Sequence, residues 1–556
     1  MANKSDKDLE AKSMGKVDLT GRLLADMASL CLSESYADVE FLVEEQKLPA
    51  HRVVLAVRSE YFRALLYGGM SESTQRQIQL DVRLDLFKLL LEYIYTGNLL
   101  LTTMKEDVVF DMLGTADQYG FHDLQLAISK YLTQSLTLKN VCVVLDAARL
   151  NNLEDLTEAC LSFMDDNASD LLQEKSLSLL SRESLEVVLH RDSFYATEEE
   201  IFQGVLKWSR CNPTLVTETL WDVVRLPLMG IQNLVEVVRP LEILGANKIL
   251  DAIAEIFTKK LPHRSRLVLD KNVASAKYFA QCTKGNNGCF LLDTTVNTIY
   301  GTSCYTSHTM SENNDCGIVV ELGAMYKINH IRLMLWDKGI QEYSYFIEVS
   351  VDDINWERVV DYSQHHCRSW QYLYFDARPV RFIRIVGTHN AADSEFYVVS
   401  LKAMHTSCVP RLIDQFVSPV DNVATIPMHA CVMKDGNLRS SNLLNGNFKD
   451  YDSHMFGTEG IVVRLRQPFH VGSICLLLFG GPERRYSFYI ETSTNYKDWE
   501  MVVDKRNDEA SSWQDLHFTP RPVVYIRIVG TAGYFIQRVE DFCCLHMECP
   551  SQAGLK

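Results

Sequence analysis

Apolar residues follow two different spacings along this chain. From residue 84 to residue 258 they recur every three or four positions, as in residues 201–206, which is the spacing of one face of a helix. Thr197 and Glu200 stand just before that stripe at the spacing of a capping box, so a helix is expected to begin there. Beyond residue 270 the apolar segments are short, β-branched, aromatic and alternating, as in residues 343–350. The pattern predicts a helical block followed by β structure.

The beginning of the chain mixes the two spacings. Residues 19–30 place leucines and a methionine at helical spacing, residues 37–43 alternate like a strand, and residues 48–55 begin a second strand-to-helix unit. A small α/β domain is therefore expected to precede the helical block. The fold class that follows is multidomain α+β, with an α/β domain, an all-α domain and two all-β domains in that order.

The β half contains one sequence used twice. When residues 318–388 are laid over residues 461–531 without a gap, 31 of 71 positions are identical, against about four expected from composition. With weaker matches upstream, the repeated unit is about 140 residues long. Solenoid repeats run roughly 20–50 residues, so a unit of this length is a duplicated domain with its own core. Each copy is predicted to be an all-β sandwich or barrel.

Several large side chains recur at the same place in both copies. Their recurrence favours shared core roles for the tryptophans, and structural roles for the arginines, over contacts with a ligand. The residues concerned are Trp356 and Trp499, Trp370 and Trp513, and Arg384 and Arg527.

Breaks in these patterns mark the expected domain limits. Residues 259–266 are basic, contain a proline and lack periodicity, which is typical of a solvated linker; a basic tail for nucleic acid is the alternative. The predicted limits are 18–132 for the α/β domain, 137–258 for the all-α domain, 259–270 for a linker, 271–408 for the first β copy, 409–420 for a second linker and 421–549 for the second β copy.

The net charge of the chain argues against one class of partner. Lysine and arginine number 55 and aspartate and glutamate 72, which gives a net charge of −17 and argues against nucleic acid as a partner. No apolar run is long enough for a membrane span, and the N-terminal segment lacks the apolar core of a secretory signal. We therefore expect a soluble, cytoplasmic protein without a membrane partner, whose 15 cysteines are mostly reduced thiols.

Catalytic and metal-binding motifs are not found in the sequence. A Gly-rich phosphate loop, His-Glu-x-x-His and Gly-x-Ser-x-Gly are all missing. His365, His366 and Cys367 are consecutive, but neighbours on a strand point to opposite faces, so at most two of them could bind one metal. The second copy has Asp508 and Glu509 at the matching positions, which removes a shared site. We expect no enzymatic activity, no cofactor and no metal.

Spaced motifs identify three families. Residues 189–193 and 224–229 resemble the BACK domain, and both β copies are similar to the factor V/VIII type C, or discoidin, domain, whose fold is a jelly-roll sandwich. Residues 291–293 and 443–446 stand where the discoidin family has a Leu-x-Asp-Gly turn. The first domain closely resembles a BTB/POZ domain, through Ala37-Asp38-Val39, Pro49-Ala50-His51-Arg52, Tyr61-Phe62-Arg63-Ala64-Leu65 and Tyr93-Ile94-Tyr95-Thr96-Gly97.

The BTB/POZ resemblance implies a partner. Adaptors of that family dimerise and dock on cullin-3, so the expected function is a non-catalytic, homodimeric adaptor of a cullin-3 RING ubiquitin ligase. Its discoidin-like repeats would recruit a protein substrate that the sequence does not identify. The alternative is a cytoplasmic or synaptic scaffold that acts through protein–protein contacts without a cullin.

The same resemblance supplies candidate contact residues. Met70 and Glu72 occupy the place of the family's apolar-x-acid triplet, where Met70 would fill an apolar groove and Glu72 would accept a charge-assisted hydrogen bond; an ordinary loop is the alternative. Tyr119 matches a further contact position, although a core-packing tyrosine fits equally well. Asp38 and Arg52 match the charged pocket near the family's dimer interface, and a simple surface pair is the alternative. Residues 19–30 would pack across the dimer or on their own subunit.

Overall fold

The structure is a computed structural model in two compact units, Met1–Pro262 and His263–Lys556. Each unit is built from a different kind of secondary structure, and each is considered separately below. The residues that the structure describes are 19–69, 71–258, 261–292, 305–311, 317–337, 341–434, 437–439, 442–447, 449, 451–480, 483–534 and 541–549.

The first unit opens with a three-stranded sheet and continues in helices. The strand order is β2-β1-β3, with β1 antiparallel to β2 and parallel to β3. Its strands and α-helices are α1 (Thr20–Ser29), β1 (Val39–Val43), β2 (Gln46–Ala50), α2 (Arg52–Arg58), α3 (Glu60–Tyr67), β3 (Gln77–Gln79), α4 (Leu84–Thr96), α5 (Glu106–Gln118), α6 (His122–Gln134), α7 (Val141–Leu150), α8 (Glu154–Asp166), α9 (Ala168–Gln173), α10 (Arg182–His190), α11 (Glu198–Cys211), α12 (Gly230–Asn233) and α13 (Ala246–Thr258).

Local signals explain where these helices begin and end. The capping box expected at α11 is confirmed: the Thr197 hydroxyl accepts from the Glu200 N–H, and the Glu200 carboxylate accepts from the Thr197 N–H. Helix α4 ends where Gly97 takes a φ of 70°, a left-handed conformation that costs glycine little. The apolar faces of these helices bury one continuous core, in which Trp208 is fully enclosed and donates its Nε1–H to the Leu180 carbonyl at 3.0 Å.

The second unit contains two similar sheets. The strands are β4 (Gln281–Lys284), β5 (Thr306–Thr309), β6 (Ile318–Leu335), β7 (Tyr343–Ser350), β8 (Glu357–Cys367), β9 (Trp370–Asn390), β10 (Glu395–Met404), β11 (Leu412–Ile413), β12 (Phe416–Val417), β13 (Cys431–Lys434), β14 (Asn437–Arg439), β15 (Asp452–Met455), β16 (Ile461–Leu478), β17 (Arg485–Ser493), β18 (Glu500–Ala510), β19 (Trp513–Tyr534) and β20 (Asp541–Glu548). In the first copy the path is β5-β10-β6-β9-β7-β8, and in the second β16-β19-β17-β18 repeats the last four strands of that path.

The multidomain α+β class predicted from the sequence is confirmed by this order of helices and strands. Parts of both predicted linkers contact the β sheets. The Arg266 N–H donates to the Met325 carbonyl at 2.8 Å, and Leu269 forms a bridge with His405. In the second linker, β11 and β12 form a hairpin whose Val417 pairs with Phe469 of β16. The domain limits themselves stay predictions.

Residues common to both copies serve the shared fold. The Arg384 guanidinium is paired with Glu348 and lies 4.4 Å from the Trp356 ring centre. The second copy repeats this arrangement: Arg527 is paired with Glu491 and lies 4.1 Å from the centre of the Trp499 ring. These contacts agree with the structural role predicted for the arginines. The core role predicted for the tryptophans is wrong for Trp513, which is 50% exposed.

The two copies meet through residues that they do not share. Glu342 of the first copy accepts from the Tyr525 hydroxyl at 2.7 Å and lies 3.2 Å from Nη1 of Arg464, both in the second copy. It also lies 2.9 Å from Nδ1 of His366, whose backbone N–H donates to the Thr494 carbonyl across the same seam. Burial raises the pKa of Glu342, but the hydrogen bond with His366, then the charge of Arg464 and the hydroxyl of Tyr525, outweigh this effect and lower the pKa to about 2.

The sequence of the repeat shows why this seam joins unlike surfaces. At the matching positions of the other copy, Glu342 is replaced by Arg485, His366 by Glu509 and Arg464 by Glu321. A head-to-tail contact between two copies of one fold uses a different surface of each, so the residues that form it need not recur. We call the contact formed by Glu342, His366, Arg464 and Tyr525 the repeat seam.

A buried histidine makes the β unit sensitive to acid. Nδ1 of His330 donates to the Leu373 carbonyl at 2.9 Å and its Nε2 accepts from Arg332 at 3.1 Å, so the ring is held neutral. Burial lowers the pKa of His330 to about 4. Its contribution to stability is complete above the unfolded pKa of about 6.5 and is lost as pH falls towards 4, because the unfolded chain binds the proton more tightly.

We therefore expect the melting temperature of the β unit to be constant above pH 7 and to fall between pH 6.5 and pH 4. In thermal unfolding followed by circular dichroism, the fall in melting temperature should be smaller for His330→Gln. The reason is that protonation of His330 accounts for roughly 2–3 kcal/mol of the free energy of unfolding that the wild type loses over this interval. His517→Gln, which changes an exposed histidine of the second copy, is the control and should leave the slope unchanged. An identical pH dependence in wild type and His330→Gln would contradict the assignment.

Candidate functional site

Two residues of the predicted docking triplet, Ser71 and Glu72, lie in a short turn after helix α3. This 3₁₀ turn spans Ser71–Thr74 and leaves Glu72 partly exposed, while Met70 lies outside the residues that the structure describes. The Ser71 hydroxyl donates to Oε2 of Glu72 at 2.9 Å. A backbone N–H, that of Glu72 itself, and then the Ser71 hydroxyl lower the pKa of this carboxyl. Glu72 is therefore ionised at neutral pH and faces solvent.

Arg52 holds this turn in place. Its Nη1 donates to the Leu66 carbonyl at 3.1 Å, near the end of α3, and to the Ser73 carbonyl at 2.7 Å, inside the turn. Its Nη2 donates to the Gln75 carbonyl, just beyond the turn. One guanidinium thus satisfies three carbonyls on both sides of Glu72, and a fork of fixed geometry restricts the path of the chain between them.

Asp38 contacts Arg52 through the backbone rather than through its charge. Oδ1 of Asp38 accepts from the Arg52 N–H at 2.8 Å, at the first residue of helix α2. A carboxylate at a helix N-terminus satisfies one of the unpaired N–H groups and interacts favourably with the helix dipole. The two residues predicted for the charged pocket are therefore neighbours, with Asp38 at the start of α2 and the Arg52 side chain pointing to the Glu72 turn. Their role at a dimer interface stays a prediction.

Tyr119 is part of the core in this chain. Its residue is 1% exposed, and its ring stacks on Phe62 with the ring centres 5.4 Å apart. It also packs edge-on against Tyr61 at 5.0 Å. Burial raises the pKa of its hydroxyl to about 12. The core-packing alternative describes this position, where Tyr119 supports the helix α3 that leads into the Glu72 turn; a contact with a partner stays a prediction.

The first unit also exposes apolar residues on two helices. None of the residues of α1 is buried, and Leu23 at 62% and its neighbours Leu19 and Leu24 face outward. On α2, Val53 and Val57 lie four positions apart on one face, and Val57 is 80% exposed. Sequence reasoning found the stripe on α1 but missed the valines, although their spacing on a short helix was a readable signal.

Two further features were sought among the described residues, a membrane-spanning helix and a metal-binding cluster. No helix among them is long and apolar enough to cross a membrane. In the same part of the chain, no three His, Cys, Asp or Glu side chains are grouped in a way that could hold a metal ion.

Comparisons with known proteins match nearly the whole chain. A family model described as BTB/POZ domain matches residues 27–136, and one described as BTB And C-terminal Kelch (BACK) matches residues 141–239. BTB/POZ domain-containing protein 9 of Drosophila melanogaster is 57% identical over 544 residues, which cover 96% of this chain and 75% of that protein. The Bos taurus protein of the same name is 43% identical over 552 residues, covering 97% of this chain and 90% of its own.

A solved structure of the BTB domain of human gigaxonin is also similar, at 24% identity and a TM-score of 0.19. The match covers 21% of this chain and 95% of that one.

The position of the Glu72 turn should depend on Arg52. Arg52→Ala removes the donor to three carbonyls, so we expect the amides of residues 71–76 to exchange faster in hydrogen–deuterium exchange and the free energy of unfolding to fall by about 1–3 kcal/mol. Arg63→Ala, which removes an exposed arginine paired with Glu60 on α3, is the control. If residues 71–76 exchange alike in wild type and Arg52→Ala, the guanidinium does not hold the turn.

Proposed function

The chain belongs to the family of BTB/POZ domain-containing protein 9, and we propose that it is a non-catalytic, dimeric adaptor that recruits a protein substrate to a cullin-3 RING ubiquitin ligase. In this proposal the BTB/POZ domain contacts cullin-3 and a second copy of the chain. The BACK domain follows it as a helical spacer, and the discoidin-like repeats bind the substrate. The protein is expected to act in the cytoplasm.

The observation that carries the proposal is the partly exposed, ionised Glu72 in a turn held by Arg52. A partner that meets this surface finds a carboxylate whose position is set by three hydrogen bonds from beneath, so little conformational entropy is lost on binding. A charge-assisted hydrogen bond to such a carboxylate is short and specific. An ordinary surface loop would not need a dedicated guanidinium under it.

The exposed face of α1 supports the dimer. Leu19, Leu23 and Leu24 lie on a helix that has no buried residue within the chain, although it lies beside α4. Burying a leucine from water stabilises by about 2 kcal/mol, so three on one helix favour a covering surface. A second copy of the same chain is the proposed cover, because BTB/POZ domains commonly dimerise.

The repeat seam changes how the recruiting half would work. Two independent discoidin-like domains on flexible linkers would bind a substrate by tethering alone. Here Glu342, Arg464 and Tyr525 join the copies by hydrogen bonds and an ion pair. We propose that the pair presents one rigid surface, so a dimer carries two recruiting bodies rather than four.

One observation favours the alternative, a scaffold without a cullin. Tyr119, one of the three residues that the resemblance gave for the cullin contact, is buried in the core. If the remaining contacts were too weak to hold cullin-3, the dimer and the rigid repeat pair would still link two copies of a bound protein.

The cullin contact is tested by charge reversal at Glu72. Glu72→Arg should weaken binding of the cullin-3 N-terminal region at least tenfold in isothermal titration, which corresponds to about 1.4 kcal/mol, because a like charge then faces the partner's donor. Glu60→Arg changes the same residue type at an exposed position of α3; it is the control and should bind as wild type does. Equal affinities for wild type and Glu72→Arg would favour the scaffold.

The dimer is tested on the α1 face. Leu19→Asp combined with Leu23→Asp should convert the chain to a monomer in sedimentation equilibrium, because charged groups cannot be buried unpaired at an apolar interface. Leu150→Asp changes a leucine of α7 that is also strongly exposed and should leave the dimer intact. A wild-type chain that sediments as a monomer, or a double variant that stays dimeric, would remove this face from the account.

A further inference from the structure

Three arginines gather at the repeat seam. Arg464 is 1% exposed, Arg466 is 7% exposed, and Arg368 is half-buried. The Arg368 N–H donates to the Arg466 carbonyl at 2.9 Å, and Nη1 of Arg368 lies 3.8 Å from Sγ of Cys431, which is paired with Arg464 across β13 and β16. The three side chains therefore belong to one small region, which we call the arginine seam.

The arginine seam carries more positive charge than its neighbours neutralise. Among the residues that the structure describes, Glu342 is the one carboxylate within 4.0 Å of any nitrogen of these arginines, and it lies 3.2 Å from Arg464. Nε of all three arginines and Nη2 of Arg464 are buried without a hydrogen-bond partner in that part of the chain. Nη1 of Arg464 forms the ion pair with Glu342. Within ion-pair distance, three guanidinium groups therefore share one carboxylate, which leaves two positive charges unpaired.

Other contacts of these arginines do not remove the excess. Nη2 of Arg368 donates to the backbone carbonyl of Asp337 at 2.6 Å, which satisfies a donor without adding a negative charge. Arg466 lies 4.2 Å from the Tyr372 ring centre, a cation–π contact. Burial lowers the pKa of Arg466, which is the sign of a cation without an acid beside it. A buried, uncompensated charge costs several kcal/mol.

The fold of the repeat does not require these side chains. At the matching positions of the other copy, Arg368 is replaced by Ser511, Arg466 by Gly323 and Arg464 by Glu321. Arginines that serve the shared fold, such as Arg384, recur in both copies and have a carboxylate beside them. The arginine seam differs on both counts.

The arginine seam lies next to the surface. His429 is exposed and stands two residues before Cys431, at the beginning of β13. Its pKa is lowered first by partial burial and then by the charge of Arg466; the Asp337 carboxylate opposes this shift, and Arg368 adds a smaller lowering effect. The positive field of the seam thus reaches a side chain that contacts solvent.

We propose that the arginine seam binds a phosphate monoester. A phosphate of this kind carries a charge of about −1.5 to −2 at pH 7 and three strong acceptor oxygens, which matches both the excess charge and the unpaired N–H groups. Planar guanidinium groups bind phosphate oxygens in pairs, and several of them together form a typical phosphate site. A single carboxylate or a halide would neutralise only half of the excess. The site is independent of the cullin contact and stands whether or not the chain is an adaptor.

The test uses the full chain and three probes at constant ionic strength: inorganic phosphate, O-phosphoserine, and a short phosphoserine peptide beside its unphosphorylated form. Each phosphorylated probe that binds should raise the melting temperature of the β unit by about 3 °C or more near saturation, and sodium chloride should not. Binding of the peptide far tighter than of phosphate would identify a phosphorylated protein segment as the source. Equal binding would identify a free phosphate compound. No shift with any phosphorylated probe overturns the proposal.

Variants separate binding from structure. Arg466→Met keeps an apolar stem beside Tyr372 and removes one excess charge, so without phosphate it should melt at the wild-type temperature or above. With phosphate it should lose most of the shift. Arg506→Met changes the net charge equally at an exposed arginine of β18 and should keep the full shift.

A second variant guards against a change in folding. Arg368→Gln alters the half-buried member of the arginine seam and should weaken phosphate binding at least tenfold by titration calorimetry. A full phosphate shift in both Arg466→Met and Arg368→Gln would overturn the site. So would a loss of melting temperature in Arg466→Met that is the same with and without phosphate, because that result describes an arginine that serves only the fold.

Discussion

The turn that carries Glu72 depends on the hydrogen bonds of one guanidinium. Arg52 begins helix α2, where its N–H is held by Asp38, and its side chain crosses to the carbonyls on either side of the Glu72 turn. The sheet, the second helix and the turn are thereby connected through one residue. The ring of Tyr119 stacks on Phe62 of helix α3 and supports the helix that leads into this turn. A short turn with no regular pairing of its own is placed in this way at a defined position on a rigid scaffold.

In the second half of the chain, two copies of one fold are joined. Residues that recur, such as Arg384 and Arg527, form the same ion pair and ring contact in each copy and belong to the fold. Residues that differ, such as Glu342 and Arg464, meet across the repeat seam. In these examples, residues that are identical in the two copies stabilise the shared fold, and residues that differ form the contact between the copies. The unneutralised arginines of the seam are of the divergent kind, which is why we assign them a ligand rather than a structural role.

Much of the fold can be predicted from local sequence patterns, whereas the repeat seam and the contacts of Arg52 cannot. The capping box at Thr197 and Glu200, the order of α and β segments and the duplication all depend on residues close in sequence or on direct comparison of two stretches. The repeat seam joins Glu342 to Tyr525 across 183 positions, and no periodicity reports such a contact. Resemblance placed Arg52 in a charged pocket. Only the path of its side chain shows that it reaches the carbonyls around Glu72.

In the proposed function, two copies of this chain bind two cullin-3 molecules through their Glu72 turns. Size-exclusion chromatography with multi-angle light scattering gives the mass of the complex between the full chain and the cullin-3 N-terminal region. We expect one species that contains two copies of each protein. A complex with a single copy of this chain, or two species that elute apart at micromolar concentrations, would contradict it.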